Sequence, residues 1–134
     1  MDDAEKFLAA KSFAVAGASR DPAKYGNRVF RALLASNRAV VPLNPTVDKI
    51  DGHTAYPEIA AMPVVPEALS IVTPPRITRE VVVQAIEAGI QRLWMQPGAE
   101  DEQASQMARE AGLNVIDDGS CILVSLAMER RKDR

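Results

Sequence analysis

Short apolar runs of strand length alternate along this chain with segments whose apolar residues recur at helical spacing. A run that is apolar throughout must be covered on both faces. The intervening helices supply that cover, as βαβ units laying a parallel sheet between two helical layers. Five strands are predicted, over residues 12–16, 39–43, 68–72, 92–95 and 115–117. Between them, residues 27–36 place Val29, Phe30, Leu33 and Leu34 on one helical stripe, and residues 79–88 do the same with Val82, Val83 and Ile86. Gly89 and Gly112 fall where helices stop, because a terminal residue with positive φ favours glycine. Residues 3–10 read as a short capping helix and residues 129–134 as a solvated tail. Residues 46–66, with three prolines, read as a connection holding one short helical turn around 58–61. The expected fold class is α/β: a three-layer sandwich around a mostly parallel five-stranded sheet.

Composition narrows the partners. At 134 residues the chain fits a single domain, 1–134, with room for a hydrophobic core but not for two catalytic lobes. Its 16 basic and 18 acidic residues give a net charge of −2, and no basic block is interleaved with aromatics, so nucleic acid is not an expected partner. A lone cysteine, Cys121, cannot form an intramolecular disulfide, and the acidic N-terminus is unlike a secretory signal; a cytoplasmic setting is expected. No apolar run approaches the roughly 20 residues that cross a bilayer, so no membrane partner is expected.

The chemistry is expected in the loops that end the strands. After the first strand, Gly17 permits a tight turn with close backbone approach, in the run Gly17-Ala18-Ser19-Arg20 followed by Lys24-Tyr25-Gly26-Asn27. The helix starting near Asn27 offers unpaired N–H groups and a positive dipole end; Ser19 adds a hydroxyl and Lys24 a charge, with Arg20 nearby. Together they form a candidate phosphate cradle, although glycine in this place also occurs in sheets that bind nothing there, and Asp21 partly offsets the charge. The loop lacks the second and third glycines of the dinucleotide fingerprint. The second strand ends in Pro42-Leu43-Asn44-Pro45 rather than in the acid that would hold ribose hydroxyls. Asn44 can hydrogen-bond, and Asn44-Pro45 also fits an ordinary turn. Thr73-Pro74-Pro75 ends the third strand with no N–H from either proline, which makes either a rigid apolar lip suited to a slender alkyl-amide chain or a stiff connector before a helix capped by Thr78. Met95-Gln96-Pro97-Gly98 closes the fourth strand, where Gln96 could face the same crevice while Trp94 packs in the core.

Taken together these residues resemble the small stand-alone CoA-binding proteins, which look like the nucleotide-binding domain of the succinyl-CoA synthetase alpha subunit. The likeness spans most of the chain. It rests on Gly17-Ala18-Ser19 with Pro22, Lys24 and Gly26; on Pro42-Leu43-Asn44-Pro45; on Ile50-Asp51-Gly52 with Tyr56; and on Trp94-Met95-Gln96-Pro97-Gly98 followed by Glu102 and Ala104. The resemblance implies a Rossmann-like sheet holding coenzyme A or an acyl-CoA. Gly17, Ser19 and Lys24 would lie near the nucleotide phosphates, Thr73, Pro74 and Pro75 along the pantetheine path, and Asn44 and Gln96 at the edges. The chain departs from the family at its end, where Asp118-Gly119-Ser120-Cys121 and Ser125-Leu126 replace the usual Asp-Arg-Cys and Glu-His.

No catalytic residue is expected. The synthetase reaction, as the resemblance implies it, needs a phosphorylated histidine from a further domain and a partner subunit. His53, in the proline-bearing connection, reads as a surface residue. No carboxylate pair, metal-spaced cluster or nucleophile with a base stands out. Cys121 could approach a bound thiol, but among Ile122, Leu123 and Val124 it reads as a small buried hydrophobe. The apolar segment 121–128 either packs on the sheet or forms a contact with a second copy or a partner enzyme. Two other readings stand beside CoA binding: a nicotinamide-dependent oxidoreductase-like domain, disfavoured by the missing glycines and acid, and a regulatory or assembly subunit of an acyl-CoA enzyme.

Overall fold

A computed structural model describes residues 1–132. In chain order the elements are α1 (Asp3–Leu8), β1 (Phe13–Ala16), α2 (Tyr25–Ala35), β2 (Val40–Leu43), the short strands β3 (Lys49–Ile50) and β4 (His53–Thr54), a 3-10 turn at Ile59–Ala61, β5 (Ala68–Ile71), α3 (Pro75–Ala88), β6 (Arg92–Met95), α4 (Glu102–Glu110), β7 (Asn114–Ile116) and α5 (Ile122–Lys132). The main sheet has the order β2-β1-β5-β6-β7 and every pairing in it is parallel. The fold is the expected Rossmann-like α/β sandwich.

Strand side chains divide the core by period two. Phe13, Val15, Ala68 and Trp94 point into a cluster with Phe7 of α1, Val29, Phe30 and Leu33 of α2, and Ile122 and Leu126 of α5. Ala14, Ala16, Leu69, Ile71, Leu93 and Met95 point the other way, onto Val82 and Ala85 of α3 and Ala104 and Ala108 of α4. The chain moves outward from β1 first to β2 and then, on the opposite side, to β5. Strand order therefore reverses between β1 and β5, and the helices that follow those strands leave on opposite faces. In open α/β sheets such a reversal opens a crevice at the carboxyl ends of the strands.

Several local expectations change. The second crossover helix begins at Pro75, not near residue 79: proline's fixed φ suits the first helical position, and Pro74 is the N-cap. Thr78 is thus inside α3 and buried rather than at its cap. Residues 46–66 do contain the short helical turn, but also the β3–β4 hairpin, closed by Asp51 and Gly52, both with positive φ as a tight two-residue hairpin turn requires. Segment 121–128 enters a helix that packs on the sheet through Ile122 and Leu126 while Val124 and Met128 stay exposed. Glu129 is not in a free tail: it accepts from Arg38 Nη2 and Nη1 at 2.7 and 2.8 Å. Of the expected tail, residues 133 and 134 lie outside the described residues. Among the described residues no helix is long and apolar enough to cross a membrane.

Candidate functional site

The loop after β1 is pressed against its neighbours by two glycines. Gly17 has φ +84°, and a Cβ there would lie 2.1 Å from the Val72 carbonyl oxygen in the loop after β5. Gly26, in the first turn of α2, leaves so little space that a Cβ would lie 2.0 Å from the Gly17 carbonyl oxygen. Only glycine at both positions lets α2 start directly over the end of β1. The α2 N-terminus has no side-chain cap and no acidic residue in its first turn, so its dipole and first N–H groups remain available to an anion. Lys24 is its exposed N-cap residue, and Arg28 stacks its guanidinium 5.4 Å from the centre of the exposed Tyr25 ring. Asp21, in the same loop, accepts the Ala23 N–H at 2.9 Å.

Side-chain amides join the loops. Asn44 Nδ2 donates to the Ala18 carbonyl at 2.8 Å, and its Oδ1 accepts from the Thr46 and Val47 N–H groups. Asn44 thereby fastens the β2 loop to the β1 loop, and Pro45 stands exposed beside it. Pro42 is buried within β2, where its carbonyl accepts the Tyr56 N–H. Ser19 Oγ accepts from the Asp21 N–H at 3.0 Å, which leaves its hydroxyl proton to donate. Asn27 is fully buried; its Nδ2 donates to the Ser19 carbonyl at 2.7 Å and to Asp51 Oδ2 at 3.1 Å. Asp51 also accepts from Arg31, whose hydrogen bond is the main cause of a carboxyl held below its ordinary range; burial opposes this and the Asn27 amide adds to it. Arg20 donates from Nε to the Lys49 carbonyl at 3.1 Å, so the hairpin also holds the β1 loop. The sequence marked this contribution only by the Asp-Gly turn pair.

On the far side of β1, Pro74 and Pro75 are exposed at the start of α3, next to Thr73, whose Oγ1 lies 2.7 Å from Thr78 Oγ1. The loops after β2, β1 and β5 thus stand side by side at one edge. Gln96 does not face this edge as an open side chain. It is 3% exposed; its Oε1 accepts the Ile122 N–H at 3.1 Å and its Nε2 donates to Cys121 Sγ at 2.9 Å, which caps α5. Gly98 is exposed beyond it, with φ +94°. Trp94 is in the core as expected, its indole N–H donating to the Ser120 carbonyl at 3.0 Å. His53 is exposed on the hairpin, edge-on to Phe30. Cys121 is half-buried rather than fully enclosed. No group of three or more His, Cys, Asp or Glu side chains among the described residues is arranged to hold a metal ion.

Known proteins are similar to this chain in fold and sequence. A conserved hypothetical protein from Pyrococcus furiosus is 37% identical, with a TM-score of 0.80 covering 86% of this chain and 98% of its own. A hypothetical protein from Pyrococcus horikoshii OT3 is 31% identical, with a TM-score of 0.89 covering 94% and 89%. The alpha subunit of the ADP-forming acetate–CoA ligase II of Pyrococcus furiosus is 27% identical over 121 residues, which is 82% of this chain but only 26% of that subunit. Residues 11–127, from just before β1 into α5, match the CoA binding domain, and the chain belongs to that family.

Proposed function

We propose that residues 1–134 form one domain that binds coenzyme A or an acyl-CoA across the carboxyl ends of β1, β2 and β5, and that it does so without chemistry of its own. The observation that carries this reading is the joining of three strand-end loops at the sheet's reversal point, through Gly17 against Val72 and through the Asn44–Ala18 hydrogen bond. The backbone around Gly17, Ala18 and Ser19, the start of α2, and Lys24 would take the phosphates. Thr73, Pro74 and Pro75 would flank the pantetheine chain. Calorimetry with CoA, acetyl-CoA, NAD and NADP tests it. Heat with the CoA compounds and none with the dinucleotides is expected; tight NAD binding with no CoA heat rejects it.

A second reading makes the domain a subunit of an acyl-CoA enzyme, favoured by the likeness to one quarter of a ligase subunit and by Val124 and Met128 standing 58% and 55% exposed on α5. Pull-down with and without CoA tests it, and finding no partner in either state counts against it.

A further inference from the structure

We infer that the β3–β4 hairpin is a clamp that sets the β1 loop for its ligand, with Asp51 as the positioning residue. The inference takes the identity of the ligand from the CoA reading above, but the clamp itself stands on geometry alone. Two consecutive loop residues are tied to the hairpin. Arg20 donates from Nε to the Lys49 carbonyl at 3.1 Å. The Ser19 carbonyl accepts from Asn27 Nδ2 at 2.7 Å, and the same Nδ2 donates to Asp51 Oδ2 at 3.1 Å. Arg31 then fixes the Asp51 carboxylate at 3.0 and 3.3 Å.

Stability alone gives a poor account of this arrangement. Asn27 is fully buried and its Oδ1 has no hydrogen-bond partner, so the two bonds its Nδ2 makes come with a buried acceptor left unpaired, a cost that offsets much of their worth. Asp51 holds φ +48°, as the two-residue turn requires and as Asp tolerates better than most residues with a side chain. The hairpin has only two residues in each strand, too few to be stable by itself, and is anchored by the fully buried Ile50. What the network does achieve is directional. A peptide unit is planar, so pinning the Ser19 carbonyl toward buried Asn27 turns the Arg20 N–H the opposite way, away from the core. A loop whose donors are aimed before the ligand arrives binds more tightly than one that must be ordered on binding.

The test compares wild type, Asp51→Gly and Asp51→Asn. Glycine accepts the positive φ without strain but lacks the carboxylate, whereas asparagine keeps both a tolerance of that φ and an acceptor oxygen. Amide hydrogen exchange is measured on the ligand-free proteins, and CoA affinity by calorimetry. Asp51→Gly is expected to speed exchange across residues 18–24 by about tenfold and to raise the Kd for CoA by about tenfold, with β5 and α3 unaffected. Asp51→Asn should return both values near wild type. Wild-type exchange in the Asp51→Gly loop overturns the clamp. Faster exchange with unchanged affinity overturns the positioning role. If wild type itself shows no CoA heat, the CoA reading fails, and the exchange data still decide the clamp.

Discussion

Replacing Gly26 by alanine should reverse the usual sign of a glycine-to-alanine change in a helix. Alanine ordinarily favours a helix over glycine by about 1 kcal/mol. Here the new methyl would lie 2.0 Å from the Gly17 carbonyl oxygen, 3.0 Å from the Gly17 carbonyl carbon and 3.2 Å from Ala18 Cα, all of them backbone atoms that no rotamer change can move. Ordinary contact requires roughly 3.4 Å or more, so α2 must draw back by on the order of 1.4 Å. That displacement unseats Val29, Phe30 and Leu33, each fully buried against the sheet. Overpacking of a rigid site costs about 1–3 kcal/mol; set against the propensity gain of about 1 kcal/mol, a net loss of about 1 kcal/mol is expected. At this chain length that corresponds to a Tm lower by about 3–5 °C. Urea unfolding followed through the fluorescence of Trp94, fully buried, reads the loss directly. CoA affinity should fall as well, because the start of α2 moves relative to Gly17. Gly89→Ala is the control: its φ of +85° makes alanine unfavourable by about 1–2 kcal/mol, yet no atom lies within 4 Å, so CoA binding should be unchanged. A Gly26→Ala protein as stable as wild type, or one that binds CoA equally well, refutes the reasoning.

Lys24→Ala should weaken CoA binding by about 1–2 kcal/mol, as loss of a charge-assisted phosphate contact does, while leaving the urea midpoint unchanged; unchanged affinity removes Lys24 from the site. Gln96→Ala should lower stability by about 1–3 kcal/mol, since it strips the buried Ile122 N–H of its acceptor, and amide hydrogen exchange should show faster opening at the start of α5. Hydrogen bonds from Arg31, Arg79, Arg109 and Arg38 hold Asp51, Asp101, Asp117 and Glu129 below their ordinary pKa values. These groups take up protons less readily folded than unfolded, so their contribution is full above the unfolded values of about 4 and is lost as pH falls through the folded ones. The urea midpoint should therefore drop on acidification below about pH 4.5, and a midpoint that rises between pH 5 and pH 3 contradicts the assignment.

The sheet was legible because each central strand is largely apolar on both faces and is followed within three residues by glycine or proline. The runs at 13–16, 40–43, 68–71 and 92–95 are strands in a wholly parallel sheet, within a residue or so of where their composition places them. Helix starts were less legible. A stripe such as Val82 and Ile86 shows where a helix touches the core, but not how far it continues beyond that contact, so α3 reaches four residues further toward its proline start. The β3–β4 hairpin has strands too short to show any period, and only Asp51-Gly52 signals it. At the other end, the apolar run beginning at Cys121 left two partners open. In the structure one side of the helix packs on the sheet, because Ile122 and Leu126 are one helical turn apart and reach the core together, while Val124 and Met128 stay exposed on another side.

Residue identity was a better guide to which loops meet at the sheet edge than to the task of each side chain within them. Asn44 and Gln96, both amides that end strands, were expected to reach a ligand. In the structure Asn44 donates to the Ala18 carbonyl and receives backbone N–H groups, and Gln96 accepts the first N–H of α5. Asn27 likewise donates to the Ser19 carbonyl. Three amides are thus engaged within the protein, each with at least one backbone partner, and two glycines serve to bring backbone segments into contact. If the proposed pocket is correct, the ligand meets peptide N–H groups, the start of α2, Lys24 and the two exposed prolines more than it meets polar side chains. Such a site selects by shape and by the placement of a pyrophosphate, since peptide donors are the same whatever residue carries them. It follows that substitutions at Asn27 and Asn44 should act on affinity through loop geometry, whereas Lys24 acts through charge. Salt distinguishes the two: raising ionic strength should shrink the Lys24→Ala effect, because a charge contact is screened, and leave the effect of Asn44→Ala nearly constant.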